Sequence, residues 1–367
     1  AMHILAVSGL HVGVIYLILQ SLLFFMTGKR SLRLARALLI ILFIWGYASL
    51  TGMSPSVTRA AIMFSFISLG GAMNRHINIY NILAASAFFT LLFNPFALTE
   101  LGFWLSYAAV ISIVSLFPHI YKLIRCRTWL GDKAWSLIAV SVAAQVGTAP
   151  IAILFFHQFS NYFILTNLLV IPVVSFVVYL AIAVFAFSVL PGVSVFLAGL
   201  LKWLIQGLNS VVFWIESLPG ATSTGIYINV FQMICIYVIL ISIAVFFIHR
   251  RKNMIFAVLG SLILFLSVSA WHRYTVNQQK QLIVYHIPDY TAVNCITGRD
   301  HVLFSDMDIP EEKISDKLQS HWLKKGLEKE TLIPVQRMTD QYILTNLLQI
   351  DNPYVFQKSK YISFAGI

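Results

Sequence analysis

His3, Ser8 and His11 lie in Met2-His-Ile-Leu-Ala-Val-Ser-Gly-Leu-His-Val-Gly13, where two imidazoles and a hydroxyl open an apolar run. A nucleophilic serine needs a base, and the base needs an acid or another group to orient it. No Asp or Glu occurs in the first three apolar segments, which argues against an intramembrane hydrolase. The two histidines then either hydrogen-bond neighbouring helices or line a polar path. Gly9 and Gly13 form a small-xxx-small pair suited to close helix approach, and His11, about 200° around the helix from Gly9, points away from that face.

Arg59 closes Thr51-Gly-Met-Ser-Pro-Ser-Val-Thr-Arg59. Ser54 suits the N-cap of a helix and Pro55 its first position, which puts Arg59 about one turn in. No acid is nearby in sequence, so this guanidinium either snorkels to the membrane surface or faces an anion in a pore. In Asn94-Pro-Phe-Ala-Leu-Thr-Glu100, Thr99 is the expected helix cap and Glu100 suits the positive end of the helix dipole. Further polar candidates are Gln145, His157, Gln158 and Asn167, in Gln145-Val-Gly-Thr-Ala-Pro150, Phe156-His-Gln-Phe-Ser160 and the stretch from Asn167 to Pro172. Pro172 is expected to kink or break its helix. These amides and the imidazole either face water or bridge helices.

The elements that must hold these groups follow from composition. Of 367 residues, 59% are hydrophobic and 11% charged, against roughly 45–50% and about 25% in a soluble domain. That excludes a soluble enzyme as the whole molecule. Apolar runs long enough to cross about 30 Å of hydrocarbon recur, giving about ten candidate spans: 4–26, 36–50, 57–73, 79–93, 101–118, 135–156, 161–189, 195–215, 226–248 and 254–271. The eighth carries Lys202, Gln206 and Asn209 on one face, a stripe that suits an interfacial helix or a wet lumen.

Charge divides the chain near Tyr274. Residues 1–275 hold 15 Lys and Arg against three acids, and residues 276–367 hold ten against 11. Twelve of the 15 fall in loops on one side of a ten-span chain: Lys29, Arg30, Arg33, Arg36, Arg75, Lys122, Arg125, Arg127, Lys133, Arg250, Arg251 and Lys252. The positive-inside rule makes that side cytoplasmic. The net charge of +11 therefore records insertion topology more than an anionic partner. The fold expected is an all-α polytopic membrane domain over 1–275, followed over 276–367 by a small, extracytoplasmic α+β soluble domain. Strands are expected at Gln281–Ile287, Ala292–Thr297 and from Val302, with a hairpin at Gly298-Arg299-Asp300. A helix is expected from Glu311 to Lys329 with Ile314, Leu318 and Trp322 on one face. Cys126, Cys235 and Cys295 are too scattered for a disulfide framework.

Taken together, His-Ile-Leu-Ala-Val-Ser-Gly-Leu-His-Val-Gly (3–13), Leu-Thr-Gly-Met-Ser-Pro-Ser-Val-Thr-Arg-Ala-Ala-Ile-Met (50–63), Asn94-Pro95 with Gly-Phe-Trp-Leu-Ser-Tyr (102–107), and Phe-His-Gln-Phe-Ser (156–160) with Asn167 and Pro172 resemble the competence domain of ComEC-type DNA-internalisation proteins. The resemblance implies a channel for single-stranded DNA in the bacterial inner membrane, used in natural transformation. It implies as partners single-stranded DNA, an extracytoplasmic DNA receptor, a cytoplasmic ATPase or helicase and the lipid bilayer, with a homo-oligomer left open. Because the chain starts inside the first motif, an N-terminally truncated member is expected. The tail resembles the opening of the metallo-β-lactamase-like domain of such proteins, in degenerate and truncated form. Ile-Pro-Asp-Tyr-Thr-Ala (287–292) stands where members have an Asp-Val-Gly-Gln-Gly-Asp type turn, and no His-x-His-x-Asp-His follows. A metal-dependent nuclease needs such clustered ligands, so no enzyme activity is expected. His286, His301 and His321 are read as packing or surface residues. No Walker A loop, Rossmann pattern or metal cluster occurs, so no cofactor is expected. A small-solute transporter is the alternative, and it would call for an internal repeat with paired broken helices.

Overall fold

The computed structural model describes residues 9–74, 77–287, 290–305, 318, 321–327, 329–334, 355–358 and 361–364. Among them, ten helices fall at the ten expected positions and the chain is mostly helical. It divides into two compact units, 1–224 and 225–367.

The first unit holds α1 (Gly9–Leu22), α2 (Arg30–Leu50), α3 (Pro55–Ala72), α4 (Ile79–Phe93), α5 (Leu101–Tyr121), α6 (Trp129–Phe156), α7 (Phe163–Ala186) and α8 (Pro191–Glu216). Short strands β1 (Gln158–Ser160) and β2 (Thr222–Thr224) pair antiparallel. The second unit holds α9 (Val230–His249) and α10 (Met254–Gln278), then β3 (Lys280–Ile287), β4 (Tyr290–Thr297), β5 (Asp300–Ser305), β6 (Lys329–Pro334), β7 (Val355–Lys358) and β8 (Tyr361–Phe364). Seven helices are long and apolar enough to cross a membrane: α2 and α5 through α10. α1 and α4 are shorter, with 14 and 15 residues, and α3, which carries Arg59, is not among the seven.

Small residues set the closest helix contacts, because lipid offers no hydrophobic drive and helices associate through close packing. Ala139, Ala143 and Gly147 recur every fourth residue on the buried face of α6. A Cβ at Gly147 would stand 2.6 Å from the Ala108 carbonyl oxygen of α5 and 2.4 Å from Ser112 Cβ. The Ser112 hydroxyl donates to the Ala143 carbonyl at 2.6 Å, joining the same two helices. The expected Gly9/Gly13 face packs on α3, where a Cβ at each glycine would lie 3.4 Å from Ala60 and from Phe64 respectively. α3 is thereby enclosed on two sides, with Val12, Ile40, Ile44, Ala48, Val57, Ala60 and Ala61 forming one core cluster.

Pro172 does not break the seventh span: α7 runs unbroken from Phe163 to Ala186. A proline removes one backbone donor, and membrane helices tolerate that when neighbours and local adjustments re-satisfy the freed carbonyl. The reversal falls instead at His157, which ends α6 in the left-handed region with φ 55° and leads into β1. The polar stripe of α8, Lys202, Gln206 and Asn209, is exposed, while Leu208 and Val212 pack on Val170 and Val174 of α7.

In the second unit β3 to β6 form one sheet in sequence order, with β3–β4 and β4–β5 antiparallel and β5–β6 parallel. The expected hairpin is present, and Gly298 takes φ 63° in its two-residue turn. Leu318 and residues 321–325 are helical, and Leu318 and Trp322 cover Ala292 and Leu303. The helix stops short of the expected Lys329, because Gly326 turns the chain with φ 65° and Lys329 opens β6; Glu311 and Ile314 lie outside the described residues, as do Pro288 and Asp289.

Candidate functional site

The loop before Arg59 is built to turn sharply. Met53 N–H donates to the Ala48 carbonyl at 2.8 Å and Thr51 N–H to Tyr47 at 3.0 Å, closing the end of α2. Gly52 and Met53 both adopt positive φ, 74° and 51°. Glycine does so without penalty, whereas a side chain there is uncommon. The chain then enters α3 through Ser54 at the N-cap and Pro55 at the first position, as expected, although the Ser54 hydroxyl makes no cap hydrogen bond.

Arg59 is 2% exposed, so it does not snorkel. Its Nη2 donates to the Gly102 carbonyl at 2.9 Å and to the Ser106 hydroxyl at 2.8 Å, both on α5. Its Nε and Nη1 are buried without a hydrogen-bond partner. Glu100 and Tyr107 stand within electrostatic reach. Glu100, rather than the expected Thr99, is the N-cap residue of α5; Thr99 closes the 3-10 turn Pro95–Thr99 and donates to the Phe96 carbonyl. The Glu100 carboxylate accepts from Asn94 Nδ2 at 3.3 Å. Beside this, Tyr107 and Ser86 share a buried hydrogen bond of 2.9 Å, and Phe103, Tyr107, Leu83 and Ala97 pack together. A cation thus sits between the opening turns of two helices, whose dipole ends are themselves positive.

The other candidates lie on separate elements. His11 is half-buried on α1, which touches both α3 and α7. Gln145 is half-buried on α6, about 200° around from Gly147 and so away from the α5 contact. His157 ends α6, and Gln158 is exposed in β1, where its backbone pairs with Thr224. Asn167 is half-buried on α7. His3 and Ser8 lie outside the described residues. The groups that hold Arg59, the Gly102 carbonyl and the Ser106 hydroxyl, lie in the Gly102–Tyr107 motif, where sequence alone assigns them no role.

The tail has its own polar cluster. His301 is 3% exposed, its Nδ1 lies 3.1 Å from Asn294 Oδ1, and its ring centroid is 4.9 Å from that of Trp322. Burial pushes its pKa down to about 4, with Asp300 opposing. His321 meets the Tyr285 hydroxyl at 2.8 Å, and burial together with Lys325 and Lys324 lowers its pKa. Among the described residues no three His, Cys, Asp or Glu groups come together as metal ligands would.

Seven helices of spanning length and an interior guanidinium define a multi-pass membrane protein. The chain belongs to the Competence protein family, whose model matches residues 1–252. It is 36% identical over 174 residues to ComE operon protein 3 of Bacillus subtilis strain 168, covering 47% of this chain and 21% of that protein. It is 26% identical over 230 residues to the uncharacterized protein YcaI of Escherichia coli K12, covering 59% and 29%. An uncharacterized protein of Aquifex aeolicus VF5 is 31% identical over 149 residues, covering 41% and 32%. The matched stretches thus span less than a third of each relative's length. No solved structure matches.

Proposed function

We propose that the chain is a membrane channel component for uptake of single-stranded DNA during natural transformation, seated in the bacterial inner membrane with its C-terminal tail extracytoplasmic. The observation that carries this reading is the match to the competence family over residues 1–252, together with the likeness to ComE operon protein 3. The buried Arg59 supports it: two of its guanidinium nitrogens, Nε and Nη1, lack protein acceptors, and a DNA phosphate is an anion able to accept from them. An exterior receptor delivers DNA and a cytoplasmic ATPase or helicase pulls it, while the tail packs and serves no nuclease chemistry. His3, Ser8, His11, Gln145, His157, Gln158 and Asn167 remain the further residues proposed for the path.

Deletion of the gene in a transformable host, with labelled DNA followed into the cytoplasm, tests the reading. Surface binding should persist while entry is lost. Unchanged entry of label would overturn it.

A further inference from the structure

The membrane region holds three acids, Glu100, Asp132 and Glu216. Asp132 accepts from the Tyr121 hydroxyl, and Glu216 is exposed at the end of α8. Glu100 is the one that stands within electrostatic reach of Arg59. It lies two residues before Gly102, whose carbonyl accepts from the Arg59 guanidinium at 2.9 Å. An acid at a helix N-terminus ordinarily accepts from the free N–H groups there and is favoured by the dipole. Glu100 makes no cap hydrogen bond, and its half-buried carboxylate accepts instead from Asn94 Nδ2 at 3.3 Å. Nor does it pair with Arg59, whose Nη2 donates to neutral acceptors while Nε and Nη1 have none. A buried cation thus has a carboxylate beside it that neither caps the helix nor neutralises the guanidinium directly.

An anion that reaches Arg59 is attracted by the guanidinium and repelled by this carboxylate together. Conduction demands such a balance, since a passing group must be bound well enough to enter and weakly enough to leave. The positive dipole ends of α3 and α5 add to the charge of Arg59, so without Glu100 the hold on a phosphate would be firmer. Resting on the reading of Arg59 as a phosphate contact in the DNA path, we propose that Glu100 limits how tightly Arg59 holds each phosphate and so sets its release. Glu100 acts through Arg59 and touches no DNA itself.

The test uses the full chain in lipid nanodiscs, with binding of a fluorescent oligothymidylate read by anisotropy at low salt. Glu100→Gln keeps an acceptor for Asn94 but removes the charge, and it should tighten binding about threefold or more. Glu100→Asp and Glu216→Gln should bind as wild type does. Combined with Arg59→Ala, Glu100→Gln should bring no tightening. Unchanged or weaker binding by Glu100→Gln, equal tightening by Glu100→Asp or Glu216→Gln, or tightening that persists without Arg59 would each overturn the proposal. Arg59→Ala alone should weaken binding. If it does not, the reading of Arg59 as a phosphate contact fails and this role falls with it; if it does while Glu100→Gln brings no gain, only the role of Glu100 fails. Should Glu100→Gln not insert, Asn94→Ala frees the carboxylate to approach Arg59 and should loosen binding, and tighter or unchanged binding there overturns the proposal equally.

Discussion

Arg59 sets a full positive charge against a carbonyl and a hydroxyl, acceptors without charge of their own. Hydrogen bonds from a cation to neutral groups are weaker than those to an anion, so under the proposed function a DNA phosphate would be a stronger partner than either acceptor that Arg59 has. Arg59→Ala is expected to cut DNA entry by about tenfold, the scale of about 1.4 kcal/mol, while immunoblots show the protein level falling much less. Parallel loss of both would make Arg59 a packing residue. Gly147→Ala should cost about 1–3 kcal/mol through overpacking against Ala108 and Ser112. Thermal unfolding in micelles reads this against Gly199→Ala, where nothing lies within 4 Å. Arg59 was legible because an arginine inside an apolar segment stands out by type alone. Its partners were not, since Gly102 and Ser106 lie 43 and 47 residues away and depend on which helix packs beside α3.

Helix positions were legible because membrane helices are long apolar runs between polar breaks. Their ends and breaks were less so. Pro172 reads as a breaker by its chemistry, yet α7 continues through it, and the reversal occurs at His157, a residue with no strong turn signal. In the tail, β3, β4 and β5 are legible as strand-like runs punctuated by Gly298, whereas the parallel placement of β6 beside β5 depends on a crossover that no local pattern encodes. This sheet carries a pH dependence. His301 has a folded pKa of about 4 against an unfolded value near 6.5, so at pH values between them only the unfolded chain takes up the proton. Stability is therefore complete above about pH 6.5 and falls as pH drops toward 4, by roughly 3 kcal/mol for this one group. Hydrogen exchange of the β4 and β5 amides at pH 7 and pH 4.5 should show faster opening at the lower value, and His301→Phe should flatten the difference.

For the whole molecule, the asymmetry of basic loops predicts sidedness, and free thiols can report it. Cys295 is fully buried and burial pushes its thiol up to about 11, so it is a poor reporter from either side. Lys324 is exposed in the same unit. Lys324→Cys should react with an impermeant maleimide on intact cells, and Cys126 only after permeabilisation; the reverse would invert the proposed topology. The membrane region also has an unequal distribution of ties. β1 pairs with β2, Asn161 Nδ2 donates to the Gly220 carbonyl at 2.8 Å and to the Ser223 hydroxyl at 2.9 Å, and the Tyr162 hydroxyl donates to the Pro219 carbonyl at 3.1 Å. α7 and α8 consequently leave and rejoin the chain at one fastened base, and the turn at 187–190 joins only their far ends. The hairpin is thus tied at its base independently of that turn. Two polypeptides divided there and produced together should assemble into a working whole, which makes the α7–α8 hairpin a natural place to split the protein.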